Sequence, residues 1–178
     1  MKTILDLGCG DSKLKSEDDV VVGLDICNLP GVDVVYDFNK LPLPFDDNTF
    51  DKIHADQVME HVGDLHETMK ECYRILKPKG TIEIKVPHYP HFDAFSNAQH
   101  KRFFTYYTMD SWESSNKRHN IYANGVNFKY VSRELQFIKP WRWLGAGMIF
   151  NKIPRIYETF FSNVFQAGQL RIVMEVVK

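Results

Sequence analysis

Short apolar runs, each closed by a turn signal, recur along the first half of this 178-residue chain. Thr3–Leu7 is apolar and runs into Gly8-Cys9-Gly10. Val20–Ile26 and Val32–Tyr36 are rich in β-branched residues and close at Asp25 and Asp37. Such runs, bounded by glycine and aspartate, predict strands. Phe50–Asp56 alternates apolar and polar positions, as a half-buried strand does. Between residues 64 and 76 the period changes. Leu65, Met69, Cys72, Tyr73 and Leu76 fall on one side of a helix. Lys77-Pro78-Lys79-Gly80 stops that helix, and Thr81–Val86 alternates again as a fifth strand.

Residues 87–120 carry Pro87, Pro90 and several aromatics, and predict a long functional loop with a short helix. Asn127–Ile138 and Leu170–Val177 predict late strands. Residues 141–168 form an aromatic-rich segment expected to cover part of the sheet. This order gives an α/β class: one domain over residues 1–178, with a Rossmann-like, mostly parallel sheet and an antiparallel C-terminal strand. About ten residues separate Gly10 from the second strand, and about five separate the second from the third. Parallel strands ordinarily need a crossover of a dozen residues or more, so the early crossover helices must be abbreviated. One sheet face is then left thin, and the segment 141–165 or a second copy of the chain is expected to cover it.

Composition changes this picture little. The chain is 44% hydrophobic and 25% charged, ordinary for a globular protein. Cys9, Cys27 and Cys72 are odd in number and widely spaced. They make neither a disulfide framework nor a zinc pattern, which fits a reducing cytoplasm. No signal peptide or membrane span is expected. Charge is uneven: residues 1–98 hold 10 Lys+Arg against 18 Asp+Glu, and residues 99–178 hold 12 against 5. The basic half includes Lys117-Arg118, Lys129, Arg133, Lys139 and Arg142, next to Trp141 and Trp143. That mixture could stack RNA bases, but packing within the fold or in a homodimer is the plainer reading. No strong nucleic-acid or membrane signal stands out.

The candidate chemistry sits at three successive strand ends. The glycine turn after the first strand lets backbone approach a ligand where a Cβ would obstruct it. Asp25 is placed to accept from two ribose hydroxyls. Asp37 can accept from an adenine amino group, with Phe38 flanking the ring. Open α/β sheets bind ligands at this rim. A nicotinamide-binding fingerprint would want a glycine at position 13, which is Lys13.

With these features in place the chain resembles class I S-adenosylmethionine-dependent methyltransferases. ILDLGCG, VVGLDI, DFNKLPLPFDDNTFDKIHADQVMEHVGD and YRILKPKGTIEIKVP look like the successive motifs of that family. The resemblance implies a cofactor, S-adenosyl-L-methionine, and a product, S-adenosyl-L-homocysteine. It implies that Asp6, Gly8, Cys9 and Gly10 line the methionine end. Asp25 and Ile26 would hold the ribose, Asp37 and Phe38 the adenine. Asp56 and Gln57 would lie near the amine and the methyl, with His61 shaping the pocket.

The acceptor is not identified. A small molecule or glycan, methylated on oxygen or nitrogen, is the leading expectation. An RNA or protein methyltransferase, or a binding protein without catalysis, are the alternatives. Alignment of nucleophile and methyl does most of the work in such a displacement, with a base where the acceptor must lose a proton. Asp56, Glu60 and His61 are candidates from the fourth-strand loop. His88, His91 and His100 are the candidates after the fifth strand, with Asp93 and Arg102 nearby. His88, His91, Asp93 and His100 fit a metal only loosely, and no metal is expected.

Overall fold

The computed structural model describes residues 1–116 and 123–178. Lys117 and Arg118, part of the basic half, and the end of the 87–120 loop lie outside the described residues. A seven-stranded sheet runs in the order β3-β2-β1-β4-β5-β7-β6. Its strands are β1 (Thr3–Leu7), β2 (Val20–Asp25), β3 (Val34–Val35), β4 (Phe50–Asp56), β5 (Leu76–Pro87), β6 (Phe128–Phe137) and β7 (Ala167–Val176). β7 is antiparallel to both its neighbours, and the remaining pairings are parallel. The α/β class and the antiparallel last strand are as the sequence predicts.

The helix expected at 64–76 is α1, Leu65–Ile75. Asp64 caps it by accepting from the backbone N–H groups of His66 and Glu67. It does not end in a loop. The chain passes from Ile75 straight into β5, and the Lys77–Gly80 stretch becomes an irregular start of that strand.

The early crossovers contain no helix. Residues 8–19 join β1 to β2, and Leu14 N–H donates to Asp6 at 2.6 Å, folding the loop back over β1. Residues 26–33 suffice for the next crossover because β3 is only two residues long and pairs with the very end of β2. Asp33 extends that pairing with its side chain, accepting from Gly23 N–H at 2.7 Å and from Lys13.

The consequence is a one-sided core. Leu5, Leu7, Ile53, Ala55, Ile82, Ile84 and Ile172 share one face by register. They join Met69, Cys72 and Ile75 of α1 in the main hydrophobic cluster. The segment 87–120 joins them too. Phe104, Tyr106, Met109 and Trp112 are buried there, so it is a packing layer more than a loop. The opposite face over β4, β5 and β7 is polar: Lys52, Glu83 and Arg171 lie across it, beside His54 and the Asp56–Lys85 pair. Paired charges finish this face, and 141–165 does not cover it. That segment guards the free edge of β6. Asn151 accepts from Leu135 N–H at 2.7 Å and donates to its carbonyl at 3.0 Å, filling the vacant ladder positions. Phe150, Tyr157 and Phe165 pack with Phe137 and Trp141 into the same core.

Glu83 holds the polar face together. Burial pushes its carboxyl up, but hydrogen bonds from Lys52 (2.5 Å) and Arg171 (2.7 Å) outweigh that and hold it at about 2 instead of 4.5. A depressed folded-state value stabilises the protein above the unfolded pKa, and that contribution disappears as pH falls through the folded one. Stability is therefore expected to decline between pH 4.5 and pH 2. In Glu83→Gln that part of the decline should be shallower, and the melting temperature at pH 7 lower. Thermal melts of both proteins across this range check it. Parallel curves would remove Glu83 as the cause.

Candidate functional site

Four loop tips meet where β3, β2, β1 and β4 end, because these strands are neighbours in that order. Gly8 and Gly10 both adopt positive φ, +67° and +54°. At Gly8 a Cβ would stand 2.5 Å from a Val58 methyl, so the turn closes tightly onto the β4 loop. At Gly10 a Cβ would meet nothing within 4 Å, which is the open approach to backbone that a ligand needs. Asp25 accepts from Gly10 N–H at 2.9 Å and from Cys27 N–H at 2.9 Å. Its carboxylate is thus fixed against the glycine turn, with lone pairs left over for further donors.

Asp6 is buried, and burial pushes its carboxyl up despite the bond from Leu14 N–H. Cys9 turns its sulfur away from the rim and against Gly23, where a Cβ would meet Sγ at 2.8 Å. Burial pushes that thiol up to about 11, so Cys9 offers backbone here and no nucleophile. Ile26 is exposed on the rim. Asp37 accepts from Asn39 N–H at 3.0 Å, and Phe38 is half-buried against the core. Asp56 is held by Lys85 at 2.8 Å. Gln57 also takes positive φ (+57°), and its side-chain Nε2 is buried with no hydrogen-bond partner among the described residues. A buried donor without a partner is costly and marks a place for an acceptor atom.

The three histidines read from the 88–100 stretch part company. His88 is fully buried, bonded through Nε2 to Glu158 at 2.9 Å and stacked on Tyr157. His91 is buried beside Asp93 at 3.2 Å. His88 is thus built into packing between β5 and the 141–165 segment, as a structural histidine is, whereas His91 is paired within its own loop and borders the cleft along β6. His100 lies elsewhere, with its ring 4.8 Å from that of His61. Glu60 completes this group. It is 1% exposed, and both its carboxylate oxygens lack a partner among the described residues. Burial pushes its carboxyl up to about 7, and burial also pushes the His61 imidazole down.

Glu71 and Arg74 build the floor beneath the LPFDDNTFD stretch. Glu71 accepts from Leu43 N–H at 2.6 Å. Arg74 donates to the carbonyls of Leu43 and Phe45, to Asp47, and to both oxygens of Glu71. The LPFDDNTFD and RILKPKG stretches are therefore two sides of one contact. Two surface clefts lie away from the rim, one beside α1 and one along β6, and contain none of the cofactor-side candidates.

A family profile described as a methyltransferase domain matches residues 5–84. The demethylmenaquinone methyltransferase of Symbiobacterium thermophilum is 33% identical over 98 residues, covering 43% of this chain and 39% of that protein. The cycloartenol-C-24-methyltransferase of Arabidopsis thaliana is 33% identical over 94 residues, covering 42% of this chain and 28% of that protein. The chain thus spans well under half the length of these curated relatives. A crystal structure of an S-adenosylmethionine-dependent methyltransferase from Archaeoglobus fulgidus superposes with a TM-score of 0.60 at 18% identity, over 98% of this chain and 86% of that one. The matched residues run from β1 into β5, and the likeness in fold runs the length of the chain: residues 5–84 are similar to a methyltransferase domain, and the whole chain shares the fold of an S-adenosylmethionine-dependent methyltransferase.

Proposed function

We propose that this chain binds S-adenosylmethionine at the rim of β1–β4 and transfers its methyl group to an oxygen or nitrogen of a small-molecule or glycan acceptor. The observation that carries the reading is the direct bond from Gly10 N–H to Asp25, which ties the glycine turn to the ribose-side carboxylate. The residues present fit the cofactor. Gly10 leaves space for it, and Gln57 Nε2 supplies an unused buried donor. The bound cofactor supplies a sulfonium-activated methyl, so the protein's task is mainly alignment. Asp25 would orient the ribose, Asp37 and Phe38 the adenine, and Asp6 with the glycine turn the methionine end. On the acceptor side His61 and His100 replace His88 and His91 as the groups to consider, because burial against Glu158 and Asp93 occupies the latter pair.

A thermal-shift comparison of S-adenosylmethionine, S-adenosylhomocysteine and NAD tests this directly. A ligand that binds only the folded state raises the melting temperature, by about 2.7 kcal/mol of added stability at one hundred times Kd. The expected result is a rise with both sulfur nucleosides and none with NAD. A rise with NAD alone would overturn the assignment.

A further inference from the structure

Glu60, His61 and His100 form a group whose ligand atoms all lie within 4.8 Å of one another. We infer that these three side chains hold a divalent first-row transition-metal ion at the mouth of the site.

The first argument is the state of Glu60. A carboxylate with both oxygens buried and unpaired is among the costliest things a fold can carry. Its own backbone N–H lies near enough to favour the charged form, but no well-formed hydrogen bond from the described residues reaches either oxygen. The β4 loop that carries it is nonetheless firmly fixed, since Lys101 N–H donates to the Glu60 carbonyl at 2.8 Å and Arg102 donates to the Gly63 carbonyl at 2.6 Å. The carboxylate is held in place facing two imidazoles.

The second argument is the histidines' other nitrogens. His61 Nδ1 lies 3.3 Å from the Gln99 carbonyl, and His100 Nδ1 lies 3.0 Å from the Ala94 carbonyl. A carbonyl can only accept, so each Nδ1 is the protonated nitrogen and each Nε2 keeps its lone pair. That is the arrangement metal-binding histidines use, with an outer acceptor fixing the tautomer and the ring. The two rings meet at 71°, so neither covers the other.

Two imidazoles and one carboxylate suit zinc, manganese or iron(II) better than calcium or magnesium. Bonds of about 2.0–2.2 Å would bring the ligand atoms closer than they stand here, a side-chain adjustment of roughly 1 Å. Three protein ligands leave at least one position open. The group is invisible along the chain because His100 follows His61 by 39 positions.

The test uses the full chain after treatment with a chelator. Calorimetric titration with zinc and with manganese should show one site for at least one of them. Glu60→Gln, nearly isosteric, and His100→Ala should each weaken it at least tenfold, while Cys27→Ser, which removes the exposed thiol, should not. Cobalt(II) on the unaltered chain gives a readout that needs no variant: ligand-field bands without a thiolate charge-transfer band. Absence of binding by all three metals, or equal affinity in Glu60→Gln and His100→Ala, would overturn the inference. S-adenosylhomocysteine is titrated into the same samples. Nucleoside binding without metal binding would defeat this inference alone, and metal binding without nucleoside binding would defeat only the cofactor reading.

Discussion

Asp25→Ala is expected to weaken S-adenosylhomocysteine binding by about two orders of magnitude or more. Two effects add. Hydrogen bonds to a charged group contribute about 1.5–3 kcal/mol each, and the ribose would lose its carboxylate acceptor. The same side chain also fixes Gly10 N–H and Cys27 N–H, so its removal loosens the glycine turn proposed to meet the methionine end. Asp25→Asn separates the two: it keeps a side-chain oxygen for the turn but loses the charge, and its affinity should fall between the wild type and alanine. Calorimetry on all three proteins gives the answer. Unchanged affinity in the alanine variant, with the fold intact by circular dichroism, would remove Asp25 from the site.

Arg74→Ala should cost more stability than any other single charge removal in this chain, about 3 kcal/mol or more. The guanidinium serves four partners, and without it Glu71 remains a buried carboxylate with only Leu43 N–H to satisfy it. Breaking a buried pair from one side typically costs about 3–5 kcal/mol, and partial exposure of Arg74 places the expectation at the lower end. Arg74→Lys should rescue little, because one ammonium cannot reproduce the fork that bridges Glu71, Asp47 and two carbonyls. Urea unfolding measures both. A loss under 1 kcal/mol for alanine would show that the 41–49 loop is held by its apolar contacts, chiefly Leu43 and Phe45 packed near Phe50.

The parts of the proposed site that the sequence indicated are those fixed by local rules. A strand followed by Gly8-Cys9-Gly10 places a turn at a sheet rim, and Asp25 and Asp37 follow strand ends in the same way, so their meeting needs only a parallel sheet. His88 and His91 could not be judged so. The partner of His88, Glu158, is seventy residues further on, and burial against it is decided only when 141–165 folds onto the sheet; His91 is paired with Asp93 in its own loop, and its burial too depends on the fold. Glu60 was visible as a residue, but its lack of any partner is a property of the folded surroundings.

By itself the sequence determined the main strand and helix types, the mostly parallel sheet with its antiparallel last strand, and the strand ends at which the glycine turn, Asp25 and Asp37 fall. Those follow from side-chain period and turn chemistry, which act over a few residues. Tertiary structure alone decided that the sheet has one apolar face and one charged face, that the aromatic segment guards an edge instead of filling a gap, and that Glu60 and His61 face His100. These depend on which long-range surfaces meet, and burial free energy is settled only when they do.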